Sequence, residues 1–329
     1  MRKAPDFQDV VAASERLAGM AVHTPLLENQ TLNARVGGRV LIKPETLQRT
    51  GTFKFRGAYN RISQIQEVNP GTPIVAFSSG NHAQGVAAAA KIHGVECVIV
   101  MPSDAPQIKL DRTRAHGADV VIYDRKEGNR DEIASEIAKT RGAILVPPYD
   151  DAGVIAGQGT VGYEILQDCA AHDIKLDAIL VPCGGGGLTA GTILAVQGLA
   201  PDVSVYTVEP EGFDDTMRSL ASGTIEHNAA LTGSICDALL SPSPGDLTFS
   251  INGQALAGGL VISDAAALAA VRFAAQELKL IVEPGGAAAL AALLSGVYSV
   301  EGKTVAIILS GGNIDPAILI KALELNSSA

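Results

Sequence analysis

Tryptophan is absent from this 329-residue chain, and aromatic residues make up only 4% of it although 47% is hydrophobic. The core must therefore come from Ala, Val, Ile and Leu, and with 35 glycines that composition points to a tightly packed α/β protein. A basic stripe is missing too: the net charge of −10 argues against a nucleic-acid partner. No apolar run reaches the length of a membrane span, and MRKAPDFQDVV lacks the apolar centre of a signal peptide. A soluble cytoplasmic protein, without a membrane partner, is the expectation. Cys97, Cys169, Cys183 and Cys236 stand far apart in apolar segments, which excludes a zinc knuckle or disulfide framework and predicts buried free thiols. The six histidines form no HExxH pair, so a metal would have to take oxygen ligands.

Within TGTFKFRGAYN, Thr50 to Asn60, one lysine stands among apolar and small residues. Gly51 and Thr52 read as a turn and N-cap, and Phe53, Ala58 and Tyr59 as the apolar side of the helix that follows. A cation near a helix N-terminus opposes the dipole, and partial burial pushes the amine of Lys54 toward its neutral, nucleophilic form, able to make a Schiff base. The plainer alternative is a lysine that snorkels from a helix edge.

The length suits two domains. A helix over Asp9–Met20 and a strand over Arg39–Glu45 precede the lysine stretch. From Ile74 to Asp124 apolar runs alternate with helical patterns, as in a parallel sheet, and a last helix and strand end near Tyr149. A boundary follows the Pro147-Pro148 pair. Beyond it come strands over Asp177–Cys183, Val203–Pro210 and Lys303–Ser310, an irregular segment from Ser219 to Asn252, a long helix with Ser263 as N-cap, and a frayed tail.

Ligands bind at the carboxyl ends of strands in open α/β folds. Three turns there are polar or glycine-rich: SSGNH (Ser78 to His82), GGGGLT (Gly184 to Thr189) and SGGN (Ser310 to Asn313). Four bare glycines leave amides free in front of a helix N-terminus, a natural phosphate cradle. Gly185, Gly187 and Ala190 also fit GxGxxA, with Glu209 at the end of the next strand, but a nicotinamide-dependent oxidoreductase would leave Lys54 and SGGN unexplained. Tight helix–strand packing is a third reading of the glycines.

In their order and spacing, TFKFRGA, SSGNHAQG, the tetraglycine turn and LSGGN resemble the fold-type II pyridoxal-phosphate enzymes, the threonine dehydratase and serine racemase group, over nearly the whole chain. The resemblance implies two open twisted sheet domains of the tryptophan synthase β-like architecture, with the active site in the cleft between them. Residues 1–46 and 149–329 would make the large domain and 47–148 a small mobile one.

Lys54 would carry pyridoxal 5'-phosphate, Phe53 pack on its ring, Asn81 meet the ring hydroxyl, and Gly184, Gly185, Gly186 and Gly187 hold the phosphate. Ser310 would face the ring nitrogen, where a neutral hydroxyl favours elimination over transamination. Glu283 would lie near the cofactor, or else cap a helix. Ser78, Ser79, Gly80, Asn81 and His82 would face the substrate. Ser79 would return a proton on the side opposite Lys54 in a racemase, or else be satisfied within its own turn. Arg130 would reach a second substrate carboxylate, or else be a solvated helix start. Glu209, Asp215 and the Phe213 carbonyl resemble the racemase's loop for Mg²⁺ or Ca²⁺; the alternative is a solvated acidic bend. Asp237-Ala238 departs from the family's frequent Asp-Gly, and the chain stops soon after SGGN, so feedback control through an added domain is not expected. The implied activity is a homodimeric threonine/serine dehydratase that turns L-threonine or L-serine into 2-oxobutyrate or pyruvate plus ammonia. The alternatives are serine racemase and 3-hydroxyaspartate dehydratase.

Overall fold

The computed structural model describes residues 4–78, 80–103, 105, 107–124 and 129–325. Its strands, in chain order, are β1 (Leu27–Glu28), β2 (Arg39–Pro44), β3 (Ile74–Phe77), β4 (Cys97–Pro102), β5 (Asp119–Tyr123), β6 (Ile144–Leu145), β7 (Ala178–Pro182), β8 (Ser204–Pro210), β9 (Gly258–Ile262) and β10 (Thr304–Leu309). Every residue of β3, β4 and β7 is buried, as befits parallel strands covered on both faces, and this is why IVAF, CVIVMP and AILVP read as unbroken apolar runs.

Two open sheets result. One has the order β1-β2-β10-β7-β8-β9 and is parallel except for β1; the other is the parallel sheet β5-β4-β3-β6. The register of the larger sheet runs Ile42–Ile307–Leu180–Tyr206–Gly258. Alternation along its strands divides the interior: Ile42, Leu180 and Ile307 face one apolar core, while Leu41, Val181 and Ile308 face another. The smaller sheet does the same, with Ile74 and Ile99 on one side and Val75 and Val98 on the other. The expected architecture of two open, mostly parallel sheets is thus present.

The helix Lys54–Val68 packs against the helix Ala152–Ala171 at a point where bulk is impossible. A Cβ on Gly157 would lie 2.6 Å from the carbonyl oxygen of Arg56. That close approach fixes the base of the lysine helix against the large sheet's layer of helices.

The segment expected to be irregular, Ser219 to Asn252, is overlapped at its two ends by helices Asp215–Ser222 and Asp246–Ala255. Both are started by carboxylates from elsewhere in the chain. Glu209 accepts from the amides of Thr216 and Met217, and Asp150 from those of Leu247 and Thr248. Before the final residues, of which 326–329 lie outside the described ones, comes the helix Pro316–Leu323, with Asp315 accepting from the Ala317 amide at 2.7 Å. Ser263 caps its helix as expected, but the α-helix ends at Phe273 and continues as a π-helical turn over Ala274–Leu278. All four cysteines are buried and free. Among the described residues no helix is long and apolar enough to cross a membrane.

Candidate active site

The carboxyl ends of β3, β7 and β10 meet at one cleft, and the lysine turn joins them there. Thr50 and Gly51 both adopt positive φ (62° and 74°), Thr52 bridges to Gly311, and the Phe53 amide donates to the carbonyl of Ser310. Phe53, rather than Thr52, occupies the cap position of the helix, although the Thr52 hydroxyl still accepts from the Lys54 amide at 3.0 Å. Lys54 Nζ donates to the carbonyl of Pro148 at 2.8 Å and lies 5.0 Å from the centre of the Phe53 ring. No carboxylate among the described residues offsets its loss of water, so burial lowers its pKa to about 8.

His82 is buried beside it, and its Nε2 donates to the Val146 carbonyl at 2.9 Å, which leaves Nδ1 as a bare acceptor with no partner among the described residues. Burial, helped by the charge of Lys54, pushes its pKa down to about 3 and keeps the ring neutral. Asn81 Nδ2 donates to Glu283 Oε1 at 2.6 Å. Burial first, then the charge of Asp237, raises the Glu283 carboxyl to about 7.

The tetraglycine turn is shaped for an anion. Gly186 has φ 91°, and a Cβ on Gly185 would fall 2.3 Å from the Tyr149 ring. Thr248 Oγ1 donates to the Gly185 carbonyl at 2.7 Å and Asn252 Nδ2 to that of Gly186 at 3.3 Å, which anchors the carbonyls of the loop. The helix Gly187–Leu199 begins without a side-chain cap, and the buried hydroxyl of Thr189 meets only the Cys183 thiol, with no nitrogen or oxygen partner among the described residues. Uncapped amides at a helix start, beside a lysine poised to be neutral, fit a cofactor with a phosphate at one end and a carbonyl at the other.

One cleft thus brings together Phe53, Lys54, Ser78, Gly80, Asn81, His82, Arg130, Gly184 to Gly187, Glu283 and Ser310. Ser79 lies outside the described residues. The Arg130 guanidinium sits 5.0 Å over the Phe77 ring and 3.6 Å from Asp131. Lys109 and Tyr149 also line the cleft and escape sequence reasoning, and Asp237, noted there only for the Asp-Ala pair it begins, lines it too. Lys109 pairs with Asp237 at 2.6 Å, a contact between positions 128 residues apart. The PPY sequence after β6 is another strand-to-turn junction and is the one signal that could have drawn attention to Tyr149.

Glu209, Phe213 and Asp215 form a separate buried group that does not line the cleft. Asp215 Oδ1 accepts from Asn228 at 2.6 Å, while Oδ2 has no partner among the described residues. Burial is the main reason both carboxyls are raised, Asp215 to about 6 and Glu209 to about 8. No cluster of three or more His, Cys, Asp or Glu side chains that could hold a metal occurs among the described residues.

Residues 19–311 match the family of pyridoxal-phosphate dependent enzymes. The chain belongs to that family. L-threo-3-hydroxyaspartate ammonia-lyase from Pseudomonas sp is 44% identical over 309 residues, covering 94% of this chain and 95% of the relative. Serine racemase from Schizosaccharomyces pombe is 39% identical over 311 residues, with 94% and 95% covered. The crystal structure of a threonine deaminase from T.th. superimposes with a TM-score of 0.88 at 43% identity, covering 94% of this chain and 99% of that one. The protein is therefore a fold-type II enzyme of the threonine deaminase, serine racemase and hydroxyaspartate ammonia-lyase group, and the dinucleotide reading of the glycine turn falls away.

Proposed function

We propose that this enzyme is an ammonia-lyase for 3-hydroxyaspartate, converting it to a 2-oxo dicarboxylic acid and ammonia. This reverses the order drawn from the sequence, in which L-threonine and L-serine came first. The observation that carries it is a cation, Arg130, in the wall of the same cleft as Lys54, where a second substrate carboxylate can be met. The 44% identity to an enzyme named for that substrate supports it.

In this reading Lys54 Nζ holds pyridoxal 5'-phosphate, the amides of Gly184 to Gly187 hold its phosphate, and Phe53, Asn81, Glu283 and Ser310 surround its ring. The cofactor supplies an electrophilic carbon for the substrate's amine and a conjugated ring that takes up electron density from the α-carbon. Ser78, Gly80 and the bare Nδ1 of neutral His82 line the substrate's place. Once the substrate's amine has taken its place, Lys54 Nζ, brought toward neutrality by burial, is free to remove the α-proton, which departs with the β-hydroxyl as water. Loss of the β-hydroxyl and hydrolysis of the released enamine complete the reaction. Closure of the part of the chain that carries the smaller sheet onto the rest would exclude water from this step.

A racemase reading rests on the 39% identity to a serine racemase, and gives Ser79 the task of returning the proton. Glu209, Asp215 and the Phe213 carbonyl would hold Mg²⁺ or Ca²⁺; the buried, unpartnered Oδ2 of Asp215 supports this.

The deciding experiment measures 2-oxo acid release from threo- and erythro-3-hydroxyaspartate, L-threonine and both serine enantiomers, with magnesium and with chelator. Threo-3-hydroxyaspartate should give the highest kcat/KM. Arg130→Met should lower that value by about 10- to 100-fold, the worth of a charge-assisted contact, and leave serine nearly untouched. A preference for threonine, or equal losses on both substrates, would remove the carboxylate from the proposal. Ser79→Ala should abolish any racemisation and spare elimination from L-serine. Chelator should slow the enzyme if the acidic group holds a metal.

A further inference from the structure

The LSGGN turn supplies Ser310 to the cleft and ends on Asn313, which uses both ends of its amide. Nδ2 donates to the Thr50 carbonyl and to Asn81 Oδ1, each at 2.9 Å, and Oδ1 accepts from Arg112 Nη1 at 3.0 Å. The partners come from three segments: the turn before Lys54, the start of the helix after β3, and the exposed face of the helix Gln107–Ala115 beside the smaller sheet.

Each bond has a consequence. Thr50 is β-branched and left-handed (φ 62°), a conformation that costs about 1–2 kcal/mol and persists only where neighbours hold it. Asn313 holds its carbonyl, and the Gly312 amide holds that of Gly51 at 2.9 Å. Because Asn81 Oδ1 takes an N–H from Asn313, the Asn81 amide can turn only its nitrogen toward Glu283, and one N–H of that nitrogen is left for a ligand. The helix Gln107–Ala115 makes a second contact of the same kind: Lys109, one turn before Arg112, pairs with Asp237.

We propose that Asn313 is a positioning residue that sets the Lys54 turn and the Asn81 amide together and, through Arg112, ties both to the helix that walls the cleft. The inference rests on the placement of the cofactor against Asn81 put forward above.

The test uses the holoenzyme. Asn313→Asp keeps the acceptor for Arg112 and removes both donors. Its dissociation constant for pyridoxal 5'-phosphate should rise by about tenfold or more, and the absorption band of the bound cofactor should shift, since two hydrogen bonds at the site are lost. Asn313→Ser, smaller and uncharged, gives the same readout should the aspartate variant fail to fold. Arg112→Met, at an exposed position, should leave the band and the cofactor affinity alone, raise KM by about threefold or more with kcat little changed, and speed amide exchange over 107–115. A wild-type band and cofactor affinity in both Asn313 variants would overturn the positioning role. Unchanged KM and exchange in Arg112→Met would overturn the tie to the helix. Asn81→Ala separates the two layers of argument: a band unmoved by that change overturns the cofactor's placement and this inference with it, whereas a band moved by Asn81→Ala but not by the Asn313 variants overturns the inference alone.

Discussion

Lys54 and Arg56 are two residues apart on one helix and meet opposite fates. Arg56 is fully buried, and its guanidinium is gripped by Glu45 at 2.8 Å and Glu164 at 2.6 Å, with Thr160 and the Val22 carbonyl completing its bonds. Lys43, equally buried, reaches Glu164 at 2.7 Å and the Thr24 carbonyl at 2.6 Å. Two cations therefore face Glu45 and Glu164, with Asp168 at the edge of the cluster, 4.0 Å from Lys43. Burial works against the charge on Arg56, but its two carboxylates more than offset that and raise its pKa further. Lys54 has burial without any carboxylate, and its pKa falls to about 8. A buried charge with matched partners anchors the helix, and one without them is left closer to its neutral, reactive form.

The largest effects should come from breaking each side separately. Lys54→Ala should lower kcat by at least about a thousandfold, with the bound-cofactor band lost and the fold retained, because the change removes no matched charge. A variant that keeps the band would sink its role. Arg56→Met should do the reverse: it leaves Glu45 buried without a cation and Glu164 with Lys43 alone, and should cost about 3–5 kcal/mol of stability, read by denaturant unfolding of the cofactor-free protein. A loss under about 1 kcal/mol would show that the cluster is not an anchor.

Titration sharpens the contrast by its sign. Glu283 has a raised pKa, so its contribution is complete below about pH 4.5 and is lost as pH rises through about 7. Cofactor-free wild type should therefore lose stability relative to Glu283→Gln across that window, by no more than about 1.4 kcal/mol per pH unit. Lys54 is a base with a lowered pKa. The folded state binds fewer protons than the unfolded one between about pH 8 and the ordinary lysine value of 10.5, so wild type should gain on Lys54→Met as pH rises through that range. Slopes of the same sign in both experiments would contradict the account of burial without partners.

The cleft was legible in the sequence and the anchor behind it was not. Strands buried on both faces read as apolar runs, and the turns at their carboxyl ends carry the residues that a ligand needs, so Lys54, the glycine cradle and Ser310 could be expected in one place. Lys43 and Arg56, by contrast, looked like ordinary members of a strand and a helix. Glu45 stands 11 positions from Arg56, and Glu164 stands 121 from Lys43. Helices Asp215–Ser222 and Asp246–Ala255 were hidden for the same reason, since Glu209 and Asp150 start them through tertiary contacts. Lys109 and Asp237 became cleft residues only when the two sheets were set side by side.

The smallest expected effect tests whether burial, rather than ion-pair geometry, makes the Arg56 pairs an anchor. Arg39 on β2 holds Glu28 on β1 with the same forked geometry as Arg56 and Glu45: Nε and Nη2 reach the carboxylate at 3.2 and 3.0 Å. Here both side chains are more than a third exposed, at 43% and 37%. Water already solvates these charges, so Arg39→Gln should cost less than about 1 kcal/mol, and less again in high salt. Denaturant unfolding at low and high ionic strength measures both. A salt-independent loss approaching that of Arg56→Met would mean that the fork itself, wherever it sits, supplies the stability, and burial would then not be what makes the Arg56 pairs an anchor.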